Sequence, residues 1–458
     1  MNAHTTPQLA SLGRVHFIGI GGVGMSAVAR IMVARGVPVS GSDAKDLPVM
    51  ADLAAAGARI AVGYDAGNLG DAETVVAGSA IRDDNPELAA ARQSGLPVLH
   101  RSQALAATMG DDTVVTIAGT HGKSTTTSMV TVLLQAAGLD PSFAVGATIP
   151  ALGVNAAHGT SGIFVAEADE SDGSFLNYRP RIAVVTNVEP DHLDYYGTAE
   201  AVYESFDRFT ALLPADGLLV ACADDAGALA LAERTRARSN TRVLLYGTNA
   251  AADIRLHDDG PGQVAVEAHG ARYGLSLQVP GRHNALNAAA AFAVALELGV
   301  EPAAAAAGLA HFAGASRRFE LKGSARGVRV FDDYAHHPTE VRAALTAARS
   351  VAGGHRVHVL FQPHLFSRTR EFAEQFAEAL NLADTALVLD IYPAREDPIP
   401  GVTSQLIADH LAAGGRLTAA SDAVGTLAEA AADGDVVLTV GAGDVTAYGP
   451  LIVEALRA

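Results

Sequence analysis

Three times along this chain a short β-branched run leads straight into a glycine-rich turn. Val15-His16-Phe17-Ile18 enters Gly19-Ile20-Gly21-Gly22-Val23-Gly24, and Val114-Val115-Thr116-Ile117 enters Ala118-Gly119-Thr120-His121-Gly122-Lys123-Ser124. Near the end, Val436-Val437-Leu438-Thr439-Val440 enters Gly441-Ala442-Gly443-Asp444. A strand that runs through such a turn into a helical pattern opens a βαβ unit, which imposes parallel pairing. Further apolar runs at 74–77, 163–166, 182–185, 357–361 and 386–389 alternate with alanine-rich helical stretches. Runs that are apolar on both faces belong to parallel sheets covered on both sides, so the sequence predicts an α/β fold. The length, 458 residues, suits about three domains. Boundaries are expected near Met109-Gly110-Asp111-Asp112 and near Phe312-Ala313-Gly314-Ala315, which gives domains 1–111, 112–314 and 315–458.

Composition removes several classes of function. Lys and Arg number 32 against 50 Asp and Glu, a net charge of −18, which argues against clamping a nucleic-acid backbone by general charge attraction. Trp is absent and aromatics make up 5%, too few for base-stacking platforms. The single cysteine, Cys222, has no partner for an internal disulfide, and no Cys/His ladder for zinc exists, so a reducing compartment is expected. Residues 1–13 lack a basic segment followed by an apolar one, and the most apolar stretch, 285–300, carries Glu297 and reads as a buried helix. A cytoplasmic protein without membrane insertion is expected, as a monomer or weak homodimer.

The motifs carry the chemistry. Gly19-x-Gly21-x-x-Gly24 stands between a strand and a helical pattern at 26–35, where glycines let a pyrophosphate approach backbone N–H groups at a helix start. Asp43, beyond a second strand-like run, stands where an acid binds a ribose hydroxyl; the alternative is a tight turn with no ligand. Gly119-Thr120-His121-Gly122-Lys123-Ser124-Thr125 follows a strand and precedes a helical pattern at 126–137. It is a shortened phosphate loop, since the common GxxxxGK[ST] spacing requires glycine where Ile117 stands. Its lysine suits β/γ-phosphates and its serine suits Mg²⁺. A chain with both turns binds two phosphate-bearing ligands, which a simple dehydrogenase does not need. Glu167-Ala168-Asp169-Glu170-Ser171-Asp172 and the stretch from Thr186 through His192 each end a strand, where carboxylates and a histidine sit beside a phosphate loop and can hold a metal. The alternative for the first is a solvated acidic loop. His283, Asn284 and Asn287 open the apolar helix, and their side chains can read an adenine edge or, for Asn284, cap the helix. Arg317-Arg318, the cluster Asp332-Asp333-Tyr334-Ala335-His336-His337, and Gln362-Pro363-His364-Leu365-Phe366-Ser367-Arg368 complete the set of titratable groups at strand ends.

In this order and spacing GIGGVGMS, AGTHGKST, EADESD, TNVEPDHLD, GRHNALNAAAA, RRFE, DDYAHHP, FQPHLFSRT and IYPAREDPIPG resemble the Mur ligase family over residues 19–443. The last stretch, 391–401, and the run at 334–338 resemble its alanine-adding branch. The resemblance implies a Rossmann-like N-terminal domain for the sugar nucleotide, a central P-loop ATPase domain and a Rossmann-like C-terminal domain for the amino acid. It implies ligation of L-alanine to the carboxylate of UDP-N-acetylmuramate, with ATP and Mg²⁺, through an acyl phosphate, in peptidoglycan precursor synthesis. Site residues follow in the same way. Gly19, Gly21, Gly22 and Gly24 would cradle the UDP pyrophosphate, with Ser42 or Asp43 near ribose or uracil. Gly119, Thr120, His121, Gly122, Lys123, Ser124 and Thr125 would hold ATP phosphates; Ser124 would take one Mg²⁺, and Glu167 with His192 a second. His283, Asn284 and Asn287 would surround adenine, Asp332 would meet the ATP ribose, and Arg317 or Arg318 the γ-phosphate. Tyr334, His336 and Arg368 would face the amino acid and the muramyl carboxylate, with His336 as the base. Asp207 stands where several relatives carry a carbamylated lysine and would supply that negative charge unmodified. Leu365 stands where many alanine-adding members have Arg, which would leave Arg368 to hold the amino-acid carboxylate. A water-sensitive acyl phosphate implies closure of the domains around it. Two rivals from other classes are an NAD-dependent oxidoreductase, which would leave the second loop idle, and a non-catalytic nucleotide sensor; within the class the rival is a recycling ligase that adds an intact murein tripeptide.

Overall fold

The computed structural model describes residues 7–260, 263–394 and 396–458. Arg395 in the 391–401 stretch, the first six residues and the side chain of Asp194 lie outside the described residues. The described chain falls into two compact units, Met1–Leu277 with Leu286–Ala313, and Gln278–Ala285 with Gly314–Ala458.

The first unit holds two sheets. Strands β1 (Val15–Ile18), β2 (Val39–Asp43), β3 (Arg59–Val62), β4 (Thr74–Ala77) and β5 (Val98–His100) form an all-parallel sheet in the order β3-β2-β1-β4-β5. The direction of winding reverses between β1 and β4, so the turn after β1 opens at the edge where doubly wound sheets bind ligands. The second sheet runs from β6 (Thr113–Ala118) through β7 (Ser142–Ile149), β8 (Val154–Ala157), β9 (Ile163–Glu167), β10 (Ile182–Val185), β11 (Leu218–Cys222), β12 (Arg242–Gly247), β13 (Ile254–Gly260) and β14 (Gln263–Ala268) to β15 (Ala271–Leu275). Its order is β15-β14-β13-β12-β11-β10-β6-β9-β7-β8. Here β6 pairs in parallel with both β10 and β9. The segments after β9 and β10 therefore emerge on either side of the turn that follows β6.

The second unit is built on β16 (Glu320–Ala325), β17 (Val328–Asp333), β18 (Val357–Phe361), β19 (Thr385–Val388), β20 (Gly415–Leu417) and β21 (Val436–Val440), in the order β16-β17-β21-β18-β19-β20. Its central strands are buried along their whole length, with Val357, Val359, Leu360, Phe361, Val436, Val437, Leu438 and Val440 closed to solvent. Two-sided burial is what their unbroken apolar runs required.

Two features depart from the wholly parallel expectation. Strands β13 to β15 form an antiparallel meander, and β7 with β8 and β16 with β17 also pair antiparallel. Strands β13 to β15 carry exposed positions such as Arg255, Gln263 and Arg272 instead of running apolar; β14 to β15 turns through His269 and Gly270, both at positive φ (51° and 75°). A two-residue loop with that geometry matches strand twist, and its glycine was the available sequence signal. The helices after the first two glycine turns also begin earlier than the patterns at 26 and 126 suggest. They run Val23–Ala34 and Lys123–Ala136, so Lys123 and Ser124 stand in a first helical turn.

Asp225 shows how the loop after β10 is fixed. Its Oδ1 accepts from Ala228 N at 2.7 Å, capping helix Ala226–Arg238, and from Val188 N at 3.0 Å. Asp225→Ala is expected to cost about 1–2 kcal/mol, seen as a fall of a few degrees in the thermal midpoint.

Candidate active site

At the turn after β6, left-handed backbone comes first. Gly119 has φ 135° and Gly122 φ 83°; a Cβ on Gly119 would collide with Thr186 Oγ1, and one on Gly122 would come within 2.8 Å of Asn287 Oδ1. The segment after β10 then clamps the loop. Asn187 accepts from His121 N at 2.7 Å through its side chain and from Thr120 N at 3.2 Å through its carbonyl, and its Nδ2 donates to His121 O at 3.0 Å. Thr120 Oγ1 accepts from Glu189 N at 2.9 Å, and His121 Nε2 lies 3.3 Å from Glu189 Oε2. Thr125 is buried in the first turn of the helix.

Lys123 folds back over this loop. Its Nζ donates to Gly119 O at 2.7 Å and Thr120 O at 3.1 Å, and meets Glu170 at 2.8 Å. Burial works against its charge, but Glu170, Asp169 and Glu167 together raise its pKa, so the lysine is a fixed cation. Burial pushes Glu170 up to about 7, against the pull of Lys123. On the other side of the loop, Ser124 Oγ donates to Glu167 Oε1 at 3.1 Å, while Glu167 Oε2 accepts from Gly146 N at 2.7 Å. His192, at positive φ (55°), places Nε2 3.7 Å from Glu170 Oε1 and 3.7 Å from Asp191 Oδ2. The carboxylates beside His192 are therefore Glu170 and Asp191, where the resemblance had paired it with Glu167. A cavity of about 720 Å³ opens next to this group, lined by Tyr195, Tyr196, Arg179 and Arg208 among others. Tyr196 Oη donates to the Glu170 carbonyl at 2.5 Å.

Asp207 does not join these acids. Its carboxylate accepts from Arg234 Nε at 3.0 Å and Arg238 Nη2 at 2.9 Å, so its charge is matched there rather than supplied to Glu167 or His192.

At the first turn, Gly19 has φ 80°, and the N–H groups of Gly19 and Ile20 both donate to Ser42 O, at 2.8 and 2.9 Å. Gly22 caps the helix that follows. The expectation for Ser42 is corrected: its side chain is fully buried and its hydroxyl donates to Glu87 Oε2 at 2.5 Å, so only its carbonyl serves the turn. Asp43 is also turned inward, its Oδ2 accepting from Gly21 N at 3.0 Å. Arg101, unremarked in the sequence reading, lies against Gly24, where a Cβ would come within 2.8 Å of its Nη1. It also helps lower the pKa of Asp169 in the acidic segment, behind Lys123. A lone arginine at the start of helix Arg101–Met109 gave no motif by which to find it.

In the second unit Asp332 is corrected as well. Its carboxylate is fully buried and accepts from Thr439 Oγ1 at 2.7 Å, Thr446 Oγ1 at 2.8 Å and Arg317 Nε at 3.3 Å. Side chains alternate along a strand, so Asp333 takes the other face, where burial raises it to about 6 and Phe319 N and Ala335 N donate to it at 2.8 Å. Arg317 is committed too, its Nη2 donating to Gly441 O at 2.6 Å. Arg318 is held more loosely, 3.8 Å from Glu340 and 5.2 Å from the Tyr334 ring centroid. His336 Nδ1 lies 3.0 Å from Tyr334 O; a carbonyl accepts only, so Nδ1 carries the proton and the lone pair of the neutral ring sits on Nε2. Its ring lies 5.8 Å from that of His364, which stacks on Tyr392. Arg368 is buried in the first turn of helix Phe366–Leu380, after Leu365 at φ 72°. Asn284 Nδ2 donates to Pro280 O at 2.6 Å, so its amide closes the turn before the helix.

Three family models match in register with the sheets: the Mur ligase family catalytic domain model over residues 14–113, the Mur ligase middle domain over 117–295, and the Mur ligase glutamate ligase domain over 317–443. A UDP-N-acetylmuramate–L-alanine ligase of Paenarthrobacter aurescens is 79% identical, with 98% of each chain covered. This chain belongs to the Mur ligase family. An Arthrobacter UDP-N-acetylmuramate–L-alanine ligase is 81% identical over 98% of this chain and 97% of its own. Among solved Mur ligase structures, the UDP-N-acetylmuramate–alanine ligase of Thermotoga maritima aligns over 97% of this chain and 99% of its own, with TM-score 0.78 and 29% identity. A murein peptide ligase of Psychrobacter arcticus covers the same shares with TM-score 0.72 and 26% identity.

His283 offers a pH test of this Mur ligase chain. Burial first, then Arg318, lowers its pKa to about 4. The unfolded ring takes a proton near pH 6.5 and the folded ring does not, so stability present above that value is lost as pH falls toward 4. His283→Gln is expected to flatten the fall in thermal midpoint between pH 6.5 and 4, by no more than about 3 kcal/mol.

Proposed function

We propose that this chain joins L-alanine to the carboxylate of UDP-N-acetylmuramate through an acyl phosphate made with ATP. The observation that carries this reading is the coincidence of relatives 79–81% identical along nearly the whole chain with a buried lysine held over a phosphate loop by an acid. The division of labour proposed is sugar nucleotide at 1–111, ATP at 112–314 and amino acid at 315–458. Among the described residues no helix is long and apolar enough to cross a membrane, in keeping with the cytoplasmic site proposed.

A carboxylate is a poor acyl donor until one of its oxygens takes a phosphoryl group to form a mixed anhydride, and phosphoryl transfer needs charge compensation and positioning more than covalent help. Lys123 would leave Glu170 for the β/γ-phosphates, and Glu170, with a pKa near neutral, can take a proton when its partner departs. Ser124 Oγ and Glu167 Oε1, hard oxygens 3.1 Å apart, suit Mg²⁺, with His192 proposed for a second ion; bound there, the metal would draw charge from the phosphoryl oxygens. Of the two arginines, Arg318 is the one proposed for the γ-phosphate, since Arg317 is bonded to Asp332 and Gly441. At the first turn Arg101 is proposed to offset the charge of the diphosphate. Tyr334 and Arg368 are proposed to hold the carboxylates. His336 Nε2 would take the proton that the alanine ammonium must lose before its nitrogen attacks the acyl carbon and phosphate departs.

Two measurements test this. Lys123→Ala is expected to lower phosphate release by at least about 10³-fold, while calorimetry shows UDP-sugar binding unchanged; substantial turnover in that variant contradicts the assignment. Phosphate release by the wild-type chain with UDP-N-acetylmuramate is expected with L-alanine and not with a murein tripeptide; the reverse result makes it a recycling ligase.

A further inference from the structure

Glu87 is a buried acid that the chemistry above does not use. It stands on helix Pro86–Gln93 and is closed to solvent. Its Oε2 accepts from Ser42 Oγ at 2.5 Å and lies 3.2 Å from His16 Nε2. Its Oε1 accepts from Asn68 Nδ2 at 2.7 Å and from Asp65 N at 3.1 Å. Burial works against its charge, yet the bonds from His16, Ser42, Asn68 and Asp65 outweigh that and lower its pKa. A buried carboxylate is a weak source of stability, and an apolar residue of the same size would often fold as well. What this one does is join three separate pieces of chain: β1, the end of β2, and the segment 63–69.

Those pieces are the walls of the first glycine turn. Ser42, held by Glu87, offers its carbonyl to Gly19 N and Ile20 N. Asn68, held by Glu87, also donates to Gly63 O at 3.1 Å, and Gly63 N donates to Asp43 O at 2.7 Å. Asp43 in turn accepts from Gly21 N at 3.0 Å. Both routes from the carboxylate end on backbone groups of the turn, the first after two hydrogen bonds and the second after four.

We propose that Glu87 is a positioning residue for the sugar nucleotide, fixing through Ser42 and Asn68 the backbone that receives its uridine diphosphate. This rests on the reading of the Gly19–Gly24 turn as the UDP site. Glu87→Gln keeps the volume but loses the charge that four donors converge on, and Asn68→Ala removes one strand of the network near the surface.

The test is calorimetric titration of the full chain with UDP, beside steady-state kinetics. Glu87→Gln is expected to weaken UDP binding and raise KM for the UDP-sugar by about 10-fold, the scale of one lost charge-assisted bond, with kcat at saturating sugar and KM for ATP held. Asn68→Ala is expected to shift the same two quantities by a smaller factor. A Glu87→Gln protein with a lower thermal midpoint but unchanged UDP affinity overturns the proposal; if that variant fails to fold, unchanged UDP affinity in Asn68→Ala overturns it. Wild-type protein that binds the UDP-sugar but shows UDP seated away from this turn, by protection of its amides from exchange, removes the reading of the turn itself.

Discussion

A lysine buried against acids, with its ammonium on the carbonyls of its own loop, governs the first unit. Lys123 keeps its charge there, because Glu170, Asp169 and Glu167 hold it protonated, and Gly119 and Thr120 take two of its three protons. A dry, fixed cation costs free energy unless it is matched. Glu170 matches it. In the proposed reaction a phosphate would take the place of Glu170 beside this lysine, which is the preorganised charge a phosphate-transfer centre requires.

The sheet order is what makes this possible. Because β6 lies between β9 and β10, the acids after β9 and the Thr186–Asn187 clamp after β10 arrive on opposite sides of one turn. In any order that separated these strands, Glu167, Glu170 and Asn187 would be remote from Lys123. The second unit repeats the device with other groups: β17, β21 and β18 are neighbours, so Asp333, Gly441 and Gln362 share an edge.

Backbone-level features were legible in the sequence: apolar runs marked the buried strands, and glycines marked the turns that need left-handed φ. Side-chain direction was much less so. Ser42 and Asp332 sit at the right strand ends, but each points into the interior, where Glu87 and a pair of threonines take its polar atoms. One residue further along β17 the side chain swings to the opposite face, a distinction that position alone does not reveal. Glu170 stood in a motif already noticed, and choosing it over its neighbours required knowing which carboxylate the lysine reached. Glu87 acts across sequence separations of 19 to 71 residues and Arg101 across longer ones still, and no local pattern announces such contacts. The antiparallel meander was missed for a simpler reason: its half-exposed strands lack the continuous apolar runs that identified the rest.

The most direct test is a crystal structure of the chain with a non-hydrolysable ATP analogue and Mg²⁺. The account requires Lys123 Nζ to have left Glu170 for the β/γ-phosphate oxygens, with the analogue's phosphates on the Gly119–Thr125 backbone. An analogue bound elsewhere, with the Lys123–Glu170 pair still intact, would contradict it.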